Sequence, residues 1–268
     1  MRKKPMAGPY LLWMLVFTIV PLLFVFYYGF TSSDGTFTFS NITAIFEKIH
    51  IQALGLSLLL AVITTAVCLL FAYPLALILS KSAAKNRSFV IFIFILPMWI
   101  NFLLRTYSWM AILENNGLLN QLFRKIGLIA LYNNIFGTDI SFFRMINTQG
   151  AVVLGMVYNY LPFMILPIYS VIVKLDHSLI EAARDLGANS VQVFRRVILP
   201  LSLPGVLSGI TMVFVPSVST FAISKMLGGG TEMLLGDLIE QQYMGGAYNP
   251  YLGAAISLVM MVIVVICM

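Results

Sequence analysis

Charged and hydrogen-bonding side chains are concentrated in one internal segment, Glu181–Pro200, with the sequence EAARDLGANSVQVFRRVILP. Uncharged runs adjoin it at Met145–Val173 and Val197–Ser224, and each is longer than the ~20 apolar residues that cross a bilayer core. Such a polar segment at a membrane face, with a small apolar surface at Ala182–Ala183, suits docking to a partner. An ordinary amphipathic loop is the alternative, and the capping residues alone favour it because helix caps are common.

The capping residues predict two short helices in and beside this segment. Ser178, with Glu181 three residues later, matches a capping box at the start of the first helix, and Gly187 is expected to end it. Asn189, with Gln192 three residues later, predicts the start of the second helix.

The sequence contains no motif typical of catalysis or metal binding. A nucleotide hydrolase needs a GxxxxGK[ST] loop to cradle phosphate, and the Gly228–Gly230 run is not followed by Lys and Ser or Thr. His50 and His177 belong to opposite membrane faces, so they predict no metal pair. Cys68 and Cys267 both lie in apolar runs and predict no disulfide framework. We therefore expect no catalytic residue, no metal and no enzyme activity on this chain.

The composition indicates an all-α integral membrane protein. The 268 residues are 60% hydrophobic and 10% charged, whereas a soluble domain carries roughly 25% charged residues. Since every backbone group in lipid needs an internal partner, apolar runs of this length must be helical. The sequence predicts one membrane domain over residues 1–268, with six spans: Tyr10–Phe30, Ile51–Ser80, Ser88–Leu113, Gln149–Val173, Ser202–Ser224 and Tyr251–Met268.

The basic residues predict the orientation of these spans. With a cytoplasmic N-terminus, ten of them lie inside: Arg2, Lys3, Lys4, Lys81, Lys85, Arg87, Lys174, Arg184, Arg195 and Arg196. Six lie outside: Lys48, Arg105, Arg124, Lys125, Arg144 and Lys225. The positive-inside rule therefore favours a cytoplasmic N-terminus. The net charge of +6 is then a topology signal and no indication of nucleic-acid binding. We expect the first span to be retained, because no small-residue cleavage site follows it.

Two further segments carry polar or small residues with alternative interpretations. ENNGLLN, at Glu114–Asn120, predicts a turn into a short amphipathic helix, either a dock for an extracytoplasmic partner or a helix on the membrane interface. In the fourth predicted span, Asn159 marks either a helix–helix hydrogen bond or a pathway lining, and packing is favoured. Gly205 and Gly209 form a GxxxG pair that predicts close helix packing.

The spacing within the polar segment resembles the EAA loop of ABC importer permeases. The matching residues are Glu-Ala-Ala, then Gly187 after three residues, and Leu199-Pro200 at the end; Val197 departs from the family's usual Ile. The resemblance implies that residues 175–200, the coupling loop, insert into a groove on a separate ATPase subunit. The residues that it assigns to ATPase coupling are Glu181, Ala182, Ala183, Arg184, Asp185 and Gly187.

Other segments are similar to the B-type permease of spermidine/putrescine ABC importers. This resemblance covers nearly the whole chain. The segments are AYPLA (Ala72–Ala76), LPMWINFLLRTYSWM (Leu96–Met110), NGLLN (Asn116–Asn120), VYNYLPFMILPIY (Val157–Tyr169), LGGGTEMLLGDLIEQQY (Leu227–Tyr243) and GAA (Gly253–Ala255). One departure is Lys225, where some relatives carry an acidic residue, and this weakens any cation-binding role at that position.

The family resemblance implies a type I importer permease fold of six helices in the bacterial inner membrane. It also implies a second homologous permease, an ATPase dimer and an extracytoplasmic substrate-binding protein as partners. ATP and Mg would bind the ATPase, so we expect no cofactor on this chain.

Polyamine transport is one of three functions that the residues leave open. The alternatives are an importer permease for another small solute and a self-sufficient channel or carrier, and the absence of a mid-span carboxylate in the predicted spans disfavours the carrier. Aromatic faces attract ammonium groups, and carboxylates near the outer mouth attract cations. The default role of each aromatic residue is core packing or the interfacial aromatic belt, and the default for the two carboxylates is a solvated loop. The candidate pathway residues are Trp99, Tyr107, Tyr158, Asn159, Tyr160, Asp237 and Glu240.

Overall fold

The structure is a computed structural model that describes residues 8–81, 89, 92–230, 233–246 and 248–267. Within these residues the regular elements are helices, apart from one isolated bridge between Thr31 and Phe37. The prediction of an all-α protein is confirmed.

Five of the predicted spans are continuous helices long and apolar enough to cross a membrane. They are α1 (Gly8–Gly29), α3 (Lys48–Lys81), α7 (Gln149–Ile172), α9 (Ser190–Val218) and α12 (Pro250–Cys267). Shorter helices connect them: α2 (Ser40–Ala44), α4 (Phe102–Leu113), α5 (Leu118–Lys125), α6 (Leu128–Phe136), α8 (His177–Asp185), α10 (Ala222–Leu227) and α11 (Leu235–Met244).

The third predicted span was expected to be the least regular because of Arg105, and it is interrupted before that residue, at Leu96–Asn101. Residues 92–95 are helical, Leu96–Trp99 form a 3-10 turn, and Ile100 is extended before α4 begins. The Asn101 side chain caps α4 by accepting hydrogen bonds from the backbone N–H groups of Leu103, at 2.8 Å, and Leu104, at 3.4 Å. A proline in the 3-10 turn and a capping asparagine after it together divide the span. Residues 88, 90 and 91 lie outside the described residues.

The fifth span also differs from its prediction at both ends. It ends at Val218 and not at Ser224, and at its start the second short helix of the coupling loop continues directly into it. A π-helical turn at Phe194–Ile198 joins the two parts. Pro200 follows that turn, and its ring would clash with the carbonyl of Arg196 in a regular helix, so the widened turn relieves the clash. Pro21 follows a π-helical turn at Leu15–Ile19 in the same way.

The chain groups into two compact units, Met1–Leu56 with Met233–Met268, and Ser57–Glu232. In the first unit, α1 approaches α12 so closely that a Cβ at Gly29 would come within 2.7 Å of Leu258. In the second unit, α7 and α9 pack through the predicted glycine pair. A Cβ at Gly205 would come within 2.9 Å of the Pro167 carbonyl, and one at Gly209 within 2.7 Å of Met164 Sδ. The prediction of close packing at this GxxxG pair is confirmed.

Candidate functional site

The first helix of the coupling loop is capped by Asp176, and the capping box predicted at Ser178 was wrong. The Asp176 carboxylate accepts a hydrogen bond from the Ser178 backbone N–H at 2.9 Å, so the helix begins two residues earlier than expected. That backbone bond, together with one from the Ser178 hydroxyl, holds the pKa of Asp176 below its usual value. The carboxylate therefore stays ionised at the positive end of α8, where a negative charge is favourable.

The two other capping predictions in the coupling loop are confirmed. Gly187 ends α8 in the left-handed region, with φ +82°, and the backbone N–H of Ala188 donates to the Ala183 carbonyl at 3.0 Å. Asn189 and Gln192 form a reciprocal capping box, in which each side chain accepts the other's backbone N–H at 2.9 Å.

The predicted coupling residues share one exposed surface. Among the six, Ala183 is half-buried and the other five are exposed. Sequence reasoning missed Leu186, which is 88% exposed at the end of α8. A bulky apolar side chain next to the helix-ending glycine of a polar segment was the available signal. An isolated exposed leucine is ordinary, but this one lies between short capped helices that suit docking.

The coupling loop is anchored in the protein by residues in its C-terminal part. Val193 is buried, and the Phe194 ring packs edge-on against Tyr73 of α3, with centroids 5.6 Å apart. The Tyr73 hydroxyl lies 2.6 Å from the Ser202 hydroxyl of α9. One aromatic contact therefore joins this part of the loop to α3, and one hydrogen bond joins α3 to α9.

Two of the predicted pathway residues lie at the interrupted third span. Trp99 is 80% exposed at the end of the 3-10 turn, and its ring contacts Phe92 with centroids 6.4 Å apart. Tyr107 is exposed two turns into α4. The predicted residue Tyr158 lies on α7 and is partly exposed, and its ring contacts Trp109 of α4 at 5.4 Å. The structure thus connects Tyr158 to α4 through Trp109, while the ring of Trp99 contacts Phe92.

Asn159 and Tyr160 lie on the same helix as Tyr158 and form hydrogen bonds with Gly155 and Pro216. Asn159 is 2% exposed, and its amide donates to the Gly155 carbonyl at 2.8 Å, while its Oδ1 has no partner among the described residues. The Tyr160 hydroxyl donates to the Pro216 carbonyl at 3.4 Å. Tyr160 therefore has a packing contact, and Asn159 retains one unused buried acceptor.

The two predicted carboxylates lie on α11, in the other compact unit. Asp237 is buried, and its Oδ2 accepts the backbone N–H of Leu234 at 3.0 Å, which caps the helix. Glu240 is half-buried one turn later. The capping bond gives Asp237 a structural role that the sequence analysis had not considered.

Arg105 is a further polar side chain with buried, unused hydrogen-bonding atoms. Its Nε and Nη1 are buried without a partner among the described residues. A buried guanidinium is costly in an apolar span unless a charge or acceptor pairs with it.

The hairpin of α5 and α6 confirms the helix predicted after Glu114. Asn120 is fully buried and joins the two ends of the loop, donating to the carbonyls of Glu114 and Phe143 and accepting from the Phe143 N–H. Large apolar side chains remain exposed on both helices: Leu118, Leu122, Ile126, Leu128, Leu131, Ile135 and Phe136. Both interpretations of this surface, a partner dock and a membrane-interface helix, remain predictions.

Comparison with known proteins adds family and fold relationships to this geometry. The family described as "Binding-protein-dependent transport system inner membrane component" matches residues 72–268. The spermidine/putrescine transport system permease protein PotB of Haemophilus influenzae is 38% identical over 252 residues, covering 92% of this chain and 84% of that protein. PotB of Escherichia coli K12 is 36% identical over 257 residues, covering 94% and 90% respectively.

Solved structures share the fold at low sequence identity. A bacterial ABC transporter involved in the import of the acidic polysaccharide alginate matches 98% of this chain and 92% of its own, with a TM-score of 0.75 and 20% identity. The MetNI methionine ABC transporter, in an inward-facing conformation, matches 82% of this chain and 91% of its own, with a TM-score of 0.56 and 20% identity. The architecture is therefore that of a chain found in ABC importers.

Proposed function

Because the chain belongs to the family of binding-protein-dependent transport system inner membrane components, we propose that it is the permease subunit of an ATP-driven importer of polyamines. The substrate class rests on one observation, the 35–38% identity to permeases named for spermidine and putrescine over at least 92% of the chain. The alginate and methionine transporters support the fold and carry no argument about the solute.

The coupling loop is the proposed contact with a separate ATPase. Its capped helices form a defined exposed surface, and Leu186 provides an apolar side chain that a groove on the partner would bury. In this proposal Glu181, Arg184 and Asp185 form the polar rim of the contact. ATP and Mg bind the ATPase dimer, and this chain converts the movement of the loop into movement of its spans.

Transmission through the membrane domain follows from the anchor of the loop. When the ATPase displaces α8, the Phe194 ring presses on Tyr73, and the Tyr73–Ser202 hydrogen bond links α3 to α9. The π-helical turn at Phe194–Ile198 is the least regular part of α9 and therefore its most deformable section.

The substrate pathway is proposed to run beside the interruption in the third span. Asn101 lies twelve residues before Leu113, which is about 18 Å along a helix and close to the middle of a ~30 Å hydrocarbon core. Interrupted helices near the midplane are typical of transporter binding sites. Trp99 and Tyr107 offer exposed rings there. Weak contacts of this kind allow the solute to be released.

The buried Nε and Nη1 of Arg105, which have no partner among the described residues, support an assembly with a second permease. A positive charge beside the pathway would repel a polycation, so we expect a carboxylate or carbonyl of the second, homologous permease to pair with it. In the proposed assembly the extracytoplasmic binding protein delivers the solute to the outer face of both permeases. The multi-pass chain has its N-terminus in the cytoplasm, on the side of the inner membrane that the ATPase occupies.

ATP-dependent uptake by the reconstituted complex tests this function. The two permeases, the ATPase and the binding protein would be placed in proteoliposomes, and uptake of radiolabelled spermidine would be followed. We expect uptake to require both ATP and the binding protein, and unlabelled putrescine to compete with it. Fully acetylated spermidine, which has the same backbone without the charges, serves as the control and is not expected to compete. Stimulation of the ATPase by a different solute, with no spermidine uptake, would contradict the polyamine proposal.

A further inference from the structure

A cavity of about 560 Å³ lies within the first compact unit, which contains neither the coupling loop nor the aromatic pathway residues. It is formed where α1 ends and α12 begins, beside the turn that follows α1. Its lining consists of Tyr28, Ser32, Ser33, Asn41, Tyr248, Asn249, Pro250 and Tyr251. With the N-terminus in the cytoplasm, as proposed, the end of α1 and the start of α12 face the extracytoplasmic side.

The first wall of this cavity consists of Tyr28, Ser32, Ser33 and Asn41, and hydrogen bonds hold it in place. The backbone N–H of Ser32 donates to the Thr36 carbonyl at 2.9 Å, which closes the turn that carries both lining serines. Gly35 occupies the left-handed region in this turn, with φ +74°. The Asn41 amide donates to the Thr31 carbonyl at 3.0 Å and so ties α2 to the same turn.

The second wall consists of Tyr248, Asn249, Pro250 and Tyr251, and hydrogen bonds of Asn249 hold it in place. The backbone N–H of Asn249 donates to the Gln242 carbonyl at 3.0 Å, and its Oδ1 accepts the Leu252 N–H at 3.2 Å at the start of α12. The Tyr28 and Tyr251 rings meet edge to face across the two walls, with centroids 5.5 Å apart. The cavity is therefore bounded by secondary structure on both sides.

The lining chemistry favours a positively charged alkylammonium ligand. Three tyrosine rings supply negative π faces, and the lining contains no Lys, Arg or His. The two serine hydroxyls can accept hydrogen bonds from N–H groups. Ser33 Oγ donates to Asp34 Oδ1 at 3.5 Å, so a carboxylate lies next to one of the lining hydroxyls. Aromatic faces combined with a carboxylate suit a cation and disfavour an anion.

We propose that this cavity binds an ammonium group of the transported polyamine at the outer face, before the solute reaches the membrane pathway. The proposal rests on the proposed polyamine importer function and on its topology. It adds a binding site in a unit that contains none of the aromatic pathway residues named above. The volume accommodates an extended diamine segment, and the bound group would exchange rapidly because the contacts are few.

Photo-crosslinking in the reconstituted complex tests the site directly. A spermidine analogue with one diazirine-bearing arm would be activated by light, and the labelled peptides would be identified by mass spectrometry. We expect labelling in the peptides that contain Tyr28 and Tyr251, and competition by spermidine but not by its fully acetylated form. Tyr28→Ala and Tyr251→Ala should each lower labelling about fivefold, because each removes one cation–π contact, whereas the matching Phe substitutions keep the ring.

Tyr10→Ala is the matched control, because Tyr10 is an exposed tyrosine near the start of the same helix and does not line the cavity. It should leave labelling unchanged, and co-purification with the partner subunits verifies that each variant is assembled. Spermidine uptake with no labelling at this cavity, or labelling that acetylated spermidine displaces equally well, would overturn the inference and leave the proposed function standing. Labelling with the expected tyrosine dependence but without spermidine uptake would support the site and contradict the transport proposal.

Discussion

At the scale of single residues, Gly187 gives a direct test of the coupling loop. Its φ of +82° strains any residue with a Cβ, yet no neighbouring atom lies within 4 Å of the position that a Cβ would occupy. The cost of a substitution is therefore conformational and not steric, about 1–2 kcal/mol for most residues. Gly187→Leu should distort the end of α8 and lower ATP-dependent uptake, measured in proteoliposomes, while the permease remains inserted.

Gly187→Asn is the control for this prediction, because asparagine tolerates the left-handed region. We expect it to retain most of the uptake and the normal amount of co-purified ATPase. Equal uptake by the Leu variant and the wild type would show that the end of α8 does not take part in coupling.

At the scale of helices, the glycine pair between α7 and α9 allows two kinds of contact to be compared. The nearest atom to a new Cβ is a backbone carbonyl at Gly205 and a side-chain sulfur at Gly209. Gly205→Ala would bring a methyl group to 2.9 Å from the Pro167 carbonyl, which cannot move independently. The methyl of Gly209→Ala would be closest to the flexible Met164 Sδ, at 2.7 Å, and would lie 3.2 Å from the Met164 carbonyl. We expect Gly205→Ala to cost about 1–3 kcal/mol, and Gly209→Ala to cost less. Thermal unfolding in detergent measures both.

Gly55 of α3 provides the reference for that comparison, because a Cβ there has open space and the residue is helical. Gly55→Ala should raise the unfolding temperature slightly, since alanine favours helix by up to about 1 kcal/mol over glycine. A lower unfolding temperature for Gly55→Ala than for Gly205→Ala would contradict the packing argument.

The interrupted third span leads to a prediction about the pathway. Trp99 is highly exposed and contacts Phe92, so its replacement should disturb the fold less than replacement of Tyr158, which packs on Trp109. We expect Trp99→Ala to reduce spermidine uptake severalfold and Trp99→Phe to retain much more of it, because an aromatic face attracts an ammonium group. The affinity of the binding protein and the assembly of subunits should not change. If the Ala and Phe variants transport equally, Trp99 has a packing role.

Helix positions were predictable where one physical signal dominated. Long uncharged runs predicted five continuous spans, and Gly187 and the Asn189–Gln192 pair predicted real helix ends. Predictions failed where two local signals competed. Asp176 and Ser178 are both good caps, and in the third span the apolar run concealed the combined effect of Pro97 and Asn101. The exposure of Leu186 depends on tertiary structure, so spacing alone did not indicate it.

At the scale of the whole molecule, the chain has features of one part of an assembly. Arg105 has buried donor atoms without a partner among the described residues, and the coupling loop exposes apolar side chains where no lipid is expected. Both are unfavourable for an isolated subunit and become favourable when partners pair with them or cover them. The proposed orientation determines which partner each surface can reach, so topology is the decisive property at this scale.

Cysteine labelling in intact cells tests that orientation. Val191→Cys, in the coupling loop, and Asp139→Cys, after α6, introduce thiols at exposed positions. The exposed Cys267 would first be replaced by Ala, while the buried Cys68 can remain. Because ten basic residues against six favour a cytoplasmic N-terminus, a membrane-impermeant maleimide should label the cysteine at position 139 in intact cells. It should label the cysteine at position 191 only after the cells are opened. The reverse pattern would invert the topology, and with it both the ATPase contact and the outer cavity would lie on the wrong side.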